Sequence, residues 1–277
     1  MKKNRAMGNT MKRKLKKAQK HKIAIGAILL LLFWLTAVVV PQISPYTYEM
    51  QDVTSRNLGS SSLHFFGTDK FGRDILVRVC MGVRISLQIG IGSTILNVMI
   101  GVLYGGMAGY CGKRADMLWM RIADIISAIP SLLYMILIML VLGSHTGSII
   151  LGLCVSGWIG IARVVRSEIL RLKQSDYCMA ARMSGNWEGR IIWKQLIPNM
   201  KNTIIVNALF MVPQAIFAEA FLSFVGIGLS APAASLGTMI QEARSQIQLY
   251  PMQMVYPIVV LCILIFAFQL IGLGVEE

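Results

Sequence analysis

Between Ile23 and Val40 the chain runs for 18 residues without a charge, and apolar blocks of comparable length recur at 85–112, 117–142, 147–162, 202–227 and 252–275. A helix needs roughly 20 apolar residues to cross the hydrocarbon of a bilayer. In that medium only helices and closed barrels satisfy their own backbone polar groups. Six such blocks in 277 residues predict an all-α membrane protein with six transmembrane helices. The overall balance agrees, with 55% of residues hydrophobic and 14% charged, against about 45–50% and about 25% in a soluble domain.

The polar stretches set the boundaries. Residues 1–22 hold ten Lys or Arg and no acid. The apolar run after them is longer than the core of a signal peptide, and no small-x-small cleavage site precedes Pro41, so 23–40 reads as a retained first span. The basic tail 1–22 is expected to stay in the cytoplasm and to lie against anionic lipid. Residues 41–84 read as an extracytoplasmic loop with a short helix near Phe66–Asp74, capped by Thr68 or Asp69. Residues 85–275 then form a core of five helices.

Within that core, Gly90, Gly92, Gly101, Gly105, Gly106 and Gly109 permit close backbone approach and place the second span at the centre of a bundle. The third span carries Pro130 inside it, and Asp124 is expected to pair with Arg121 on the same helical face. The fourth, 147–162, is short, with Trp158 and the basic residues after it expected to extend it at the inner interface. The fifth crosses Pro213 and Glu219. A short helix over 236–248 precedes the sixth, which has Pro257 near its start.

Orientation follows from the distribution of the 27 Lys and Arg. With the N-terminus inside, the inner segments 1–22, 113–121 and 163–201 hold ten, three and eight of them, and the outer segments hold only Arg56, Lys70, Arg73, Arg78, Arg84 and Arg244. The bias favours cytoplasmic termini over the mirror image. It also places 166–200 inside the cell. The net charge of +14 sits beside apolar blocks rather than among polar and aromatic groups, which argues against a nucleic-acid partner.

The inner stretch Asp176–Pro198 is the most structured of the polar segments. Ala180 and Ala181 offer a smooth helical surface, Gly185 permits a sharp turn, and Trp187, Ile191 and Leu196 recur near helical spacing, with Ile192 and Trp193 widening the face. Pro198 then ends or bends the run. Helix, turn, helix against the membrane is the expectation, with both alanines exposed. By itself this is also what an ordinary inter-span loop looks like.

Ala180, Ala181, Gly185 and Pro198 stand at the spacing of the EAA signature, and this stretch resembles that of permease subunits in binding-protein-dependent ABC importers. Met179 stands where the family has Glu. Gly67-Thr68-Asp69-x-x-Gly72-Arg73-Asp74 is similar to an outer-loop element of the second permease in dipeptide, oligopeptide and nickel importers. The stretches 121–131 and 219–228 also look like family sequence. The resemblance implies a type I ABC importer permease fold, a homologous partner permease, two cytoplasmic ATPase subunits and an extracytoplasmic binding protein, in a bacterial cytoplasmic membrane. It also implies that Asp176, Ala180, Ala181, Arg182, Gly185 and Pro198 couple to the ATPase. Relatives continue past the sixth span with a short basic tail, so further residues are expected after Glu277.

Enzyme chemistry has no footing in the residues. There is no G-x-x-x-x-G-K-[ST], H-E-x-x-H or G-x-S-x-G pattern, and the five Cys and three His form no ligand cluster, so no cofactor or metal site is expected. An ATP-independent transporter would bury several ionisable groups near the midplane, whereas the spans carry only Asp124 and Glu219, each near an end. A membrane scaffold explains the apolar blocks but not the two motifs. Glu219 either bonds to a neighbouring helix or lines the path. The cargo implied by the resemblance is a peptide, with nickel as the rival.

Overall fold

The computed structural model describes residues 2–230 and 232–276, with side chains at 17–187, 189–230 and 232–276. Met1 of the basic tail and the terminal Glu277 lie outside them. Among the described residues the regular elements are helical, apart from one isolated bridge between Thr68 and Asp74. The helices are α1 Lys2–Ile43, α2 Ile75–Tyr110, α3 Lys113–Ser127, α4 Ser131–Leu142, α5 Thr146–Ser156, α6 Trp158–Leu172, α7 Asp176–Met183, α8 Glu188–Ile191, α9 Ile197–Asn199, α10 Lys201–Val225, α11 Leu236–Arg244 and α12 Met252–Glu276. Among the described residues five stretches are long and apolar enough to cross a membrane, or six when the bent pair α3–α4 is counted as one broken span.

Several boundaries differ from the sequence reading. The basic tail is helical and continuous with the first span. Helix α2 starts at Ile75, ten residues earlier than expected, so Arg78 and Arg84 belong to a helix rather than to the outer loop. No helix forms over 66–74; the loop's helical turn is Val53–Ser55, capped by Asp52. Hydrogen bonds from Ser55 and Thr54 hold the Asp52 carboxyl down to about 2, because they favour its charged form.

The third span is broken, with α3 and α4 bent by 72°. Pro130 adopts φ −54° and ψ 132°. Proline lacks an amide donor and drives the preceding residue out of the helical region, so a straight helix through it is excluded. The fourth span reaches Leu172 by way of a break at Gly157. Trp158 is no interfacial anchor: it is buried, packs on Tyr104, and donates its indole N–H to the Val155 carbonyl.

The chain divides into two compact units, residues 1–90 with 212–277, and residues 91–211. In the first, α1 lies along α12. A Cβ on Gly26 would meet the Ala267 carbonyl oxygen at 2.6 Å, and one on Gly274 would meet Ile23 at 2.5 Å. The core is made of stripes at helical spacing: Ile75, Val79, Val83 and Leu87 from α2, Val212, Ile216 and Ala220 from α10, and Leu261, Leu264 and Phe268 from α12. Helix α11 closes it with Leu236, Met239 and Ile240.

In the second unit, Gly101, Gly105 and Gly109 form one row on α2 and face the backbone of α6 at Trp158, Ala162 and Arg166. The expected close packing through small residues is realised there, though only three of the six glycines carry it against α6. Ala at Gly105 places a methyl 3.0 Å from the Ala162 Cα and carbonyl carbon, which are backbone atoms with little room to yield. Gly105→Ala is expected to cost about 1–3 kcal/mol, read as a lower unfolding midpoint in detergent. Gly106→Ala, whose new methyl meets nothing nearer than Ile192 at 4.0 Å, should be neutral or stabilising by up to about 1 kcal/mol.

Candidate functional site

In the second unit, α6 ends at Leu172 and the chain turns into α7, with Ser175 in extended conformation at its N-cap. Cys178 and Ala181 are buried against Val165, Ile169 and Leu172 of α6 and against Val102 and Tyr110 of α2. The other face of α7 is open. Tyr177, Met179 and Met183 are exposed, as is Ala180. The two alanines therefore split their roles, Ala181 seating the helix and Ala180 facing outward, where both were expected to be exposed.

Gly185 ends α7 in the left-handed region, φ +75°. The Asn186 amide donates to the Ala181 carbonyl at 3.3 Å and the Gly185 amide to the Arg182 carbonyl at 3.0 Å. That pair of bonds is a Schellman cap, which requires a residue able to hold positive φ at this position. Asn186 Nδ2 adds a bond to the Ala181 carbonyl at 3.1 Å. So the four-residue interval from Ala181 to Gly185 is the distance from a buried contact to the cap that stops the helix.

Beyond the turn, α8 runs through a π-helical turn, Ile192–Leu196, into α9. The Ile197 amide donates to the Ile192 carbonyl. This widened turn lies directly before Pro198, whose ring would clash with a regular preceding turn. Pro198 does not end the run; the helix continues to Asn199 and breaks at Met200. Ile191, Leu196 and Met200 are buried in the same core as Cys178. Trp187 and Trp193, assigned from spacing to the apolar face, are instead 70% and 53% exposed.

Asp176 lies in the first turn of α7 and Arg182 in its last, each favourable to the helix dipole. Arg182 donates to the Tyr110 hydroxyl at 3.3 Å. Two ion pairs tie α6 to α3. Arg166 takes both oxygens of Asp116, and Arg163 pairs with Asp124 at 2.9 Å. Asp124 thus bonds across to another helix rather than to Arg121 on its own.

In the first unit, the Gly67–Asp74 element forms a tight turn, with Gly67 at φ +74° and Gly72 at φ +77°. Asp69 Oδ1 accepts from the amides of Phe71 and Arg73 at 2.8 and 3.0 Å. The Thr68 hydroxyl accepts from the Leu58 amide at 2.9 Å and donates to the Ser55 carbonyl. Asp74 caps α2 through the Val77 amide at 2.9 Å and takes His64 Nδ1 at 2.8 Å. The acids at 69 and 74 therefore organise the entry to a membrane helix.

Arg73 and Arg78 converge on Glu242 of α11, at 2.5 and 2.9 Å. Arg73 also pairs with Asp69 at 2.6 Å. Both guanidiniums are almost wholly buried. Sequence reasoning missed Glu242 and Arg78, because their pairing spans 164 residues; the signals available were an arginine inside an apolar periodic run and an acid on a short amphipathic helix. Glu219, fully buried in α10, accepts from Ser223 at 2.9 Å and Ser86 at 3.2 Å, and Ser235 also bonds it.

Residues 98–273 match the family described as binding-protein-dependent transport system inner membrane component. Residues 13–59 match the N-terminal TM domain of oligopeptide transport permease C. The oligopeptide transport system permease protein of Bacillus subtilis is 40% identical over 253 residues, 91% of this chain and 83% of that protein. The dipeptide transport system permease protein of the same organism is 40% identical over 264 residues, 95% of this chain and 82% of that one. The glutathione transport system permease protein of Pectobacterium atrosepticum is 34% identical over 260 residues, 92% and 85% of the two chains.

Removing Glu242 leaves two buried guanidiniums short of counter-charge, so Glu242→Ala is expected to destabilise by about 3–5 kcal/mol, measured by unfolding in detergent, with Glu242→Gln intermediate. At position 219 the hydroxyl donors need an acceptor but not a charge. Glu219→Gln should keep uptake near wild type, while Glu219→Leu strands the hydroxyls at a cost of about 1–3 kcal/mol. A large loss of uptake in Glu219→Gln at unchanged stability would instead place this side chain on the transport path.

Proposed function

Because the chain belongs to the family of binding-protein-dependent transport system inner membrane components, we propose that the exposed face of its segment 176–198 is the surface through which cytoplasmic ATPase subunits drive it. The chain is the permease subunit of an ATP-driven peptide importer of the ABC class, with the type I permease fold. It is a multi-pass protein of the inner membrane. Relatives at 34–40% identity are permeases of oligopeptide, dipeptide and glutathione transport systems. Glutathione is itself a short peptide, so a peptide backbone is the chemistry common to their cargoes.

The observation that carries the coupling role is an exposed apolar surface on an otherwise polar segment. Tyr177, Met179, Met183, Trp187 and Trp193 all project outward, and aromatic residues and Met are enriched where proteins dock. Ala180 lies among them and lets a partner come close to the α7 backbone. ATP-driven closure of two ATPases would push on this surface. Asp176 and Arg182 flank it, and the Gly185 cap fixes the turn between α7 and α8.

The remaining partners follow the same reading. A homologous permease supplies the second half of the path, and an extracytoplasmic binding protein delivers the peptide to the outer loops at 41–82 and 229–250, the first of which the helix bounds trim to 44–74. Both termini lie in the cytoplasm, the side favoured by the excess of Lys and Arg in 1–22 and 163–201.

A methyl group added at Gly185 would meet no neighbour within 4 Å, so only its φ of +75° opposes substitution. A β-branched residue there costs about 1–2 kcal/mol, and Gly185→Val is expected to lower uptake roughly 5–30-fold at a preserved rate of ATP hydrolysis in the reconstituted transporter. Gly185→Asn, which tolerates the left-handed region, should restore most of it. Normal transport by an assembled Gly185→Val protein would remove the turn from the coupling path.

A further inference from the structure

At the end of α2 a pocket of about 560 Å³ opens between Tyr110, Cys111, Gly112, Lys173 and Arg182. The Lys173 ammonium donates to the Tyr110 carbonyl at 3.3 Å and lies 5.3 Å above its ring. The Arg182 guanidinium donates to the Tyr110 hydroxyl at 3.3 Å and lies 5.6 Å from the same ring. Tyr110 is itself buried, so two cations and a phenol hydroxyl share one fixed platform. The exposed Lys113 and Arg114 follow directly in the chain. Positive charge therefore surrounds a concave site at the end of a membrane span.

A second feature of α2 leads into that site. Ile95, Met99, Leu103 and Met107 are all exposed and stand four residues apart, with Cys111 the next step of the same row. Residues four apart adjoin on a helix surface but each step turns by about 40°, so the apolar ridge winds around the span and its last steps, Leu103, Met107 and Cys111, lead into the cationic pocket. A long apolar track closed by cations and a hydroxyl donor is complementary to one kind of molecule. Basic pockets between transmembrane helices on the cytoplasmic side bind anionic headgroups in this way.

We propose that the pocket binds the phosphodiester headgroup of an anionic membrane phospholipid, with an acyl chain along the ridge. The phosphate oxygens accept from Lys173, Arg182 and the Tyr110 hydroxyl. The proposal rests on the placement of segment 166–200 inside the cell. Its consequence is mechanical, because Arg182 belongs to α7 and Tyr110 to α2, so a lipid held by both ties the docking helix to a membrane span. Lipid composition then sets how firmly motion of α7 reaches α2.

Cys111 is exposed and lines the pocket, which makes it a reporter. The whole transporter, with Cys262→Ser in this chain, is placed in nanodiscs of phosphatidylcholine alone, phosphatidylcholine with phosphatidylglycerol, or phosphatidylcholine with inorganic phosphate in the buffer. Maleimide labelling of the Cys111 peptide is followed by mass spectrometry. Phosphatidylglycerol should slow labelling, and Arg182→Gln and Lys173→Gln should each weaken that protection roughly fivefold in lipid concentration, with Lys173→Arg restoring it. Equal labelling in the two lipid compositions overturns the proposal, whether the pocket is empty or covered by the ATPase. Equal protection by inorganic phosphate reassigns the site to a soluble anion and overturns the lipid. Failure of the inward placement is read separately, since an impermeant maleimide would then reach Cys111 from outside intact cells.

Discussion

Helices in hydrocarbon gain little from apolar burial, since lipid tails are as apolar as leucine, and their association depends on how closely backbones approach. In this protein glycine sets that approach at several principal helix contacts. Gly26 and Gly274 bring α1 onto α12, Gly237 brings α11 onto Ala220 of α10, and Gly101, Gly105 and Gly109 seat α2 on α6. Each is a position where a methyl group would strike backbone or a fixed side chain. Packing of this kind resists sliding, and the polar work at the two ends of the spans is built on it.

Around the Gly67–Asp74 turn, buried charge is compensated locally. Arg73 and Arg78 would each be costly beside a membrane helix, and Glu242 and Asp69 neutralise them over distances of 2.5 to 2.9 Å. The tight turn with its two positive-φ glycines exists to deliver those charges. Gly72 lets the chain pass against the Asp52 backbone, and Asp74 then starts α2 by capping it. Buried ion pairs add little net stability but are severe when broken. The arrangement therefore fixes the geometry of the loop, α2 and α11 more than it strengthens them.

How much of this was legible in the sequence depends on the range of the interaction. Spans 202–227 and 252–275 agree with α10 and α12 to within two residues, because a local run of apolar side chains is sufficient to define them. The Ala-Ala-x-x-x-Gly turn was also legible, since a Schellman cap is formed within six consecutive residues. Errors arose where a distant partner decides. Arg78 looks like a loop residue until Glu242, 164 positions away, allows it inside a helix. Asp124 looks paired with Arg121 until α6 presents Arg163. Trp187 and Trp193 sit at apolar spacing, yet Trp187 falls in the non-helical link before α8 and Trp193 in the π-helical turn before Pro198, and a regular helical period describes neither.

The same segment explains why its small residues are placed as they are. Ala181, Cys178, Ile191, Leu196 and Met200 share one core with the ends of α2 and α6, and interiors packed at crystal-like density transmit displacement instead of absorbing it. A larger residue at Ala181 would lift α7 off that core and leave a compliant contact. Ala180 faces the other way and is exposed, and on the proposed coupling reading its small size serves the docking partner. One alanine seats the helix on the membrane spans, and on that reading its exposed neighbour would let a driving surface approach the same backbone. A push delivered at Ala180 would then reach the buried contact at the very next residue, Ala181, and the cap at Gly185 keeps α7 from lengthening to take up the motion.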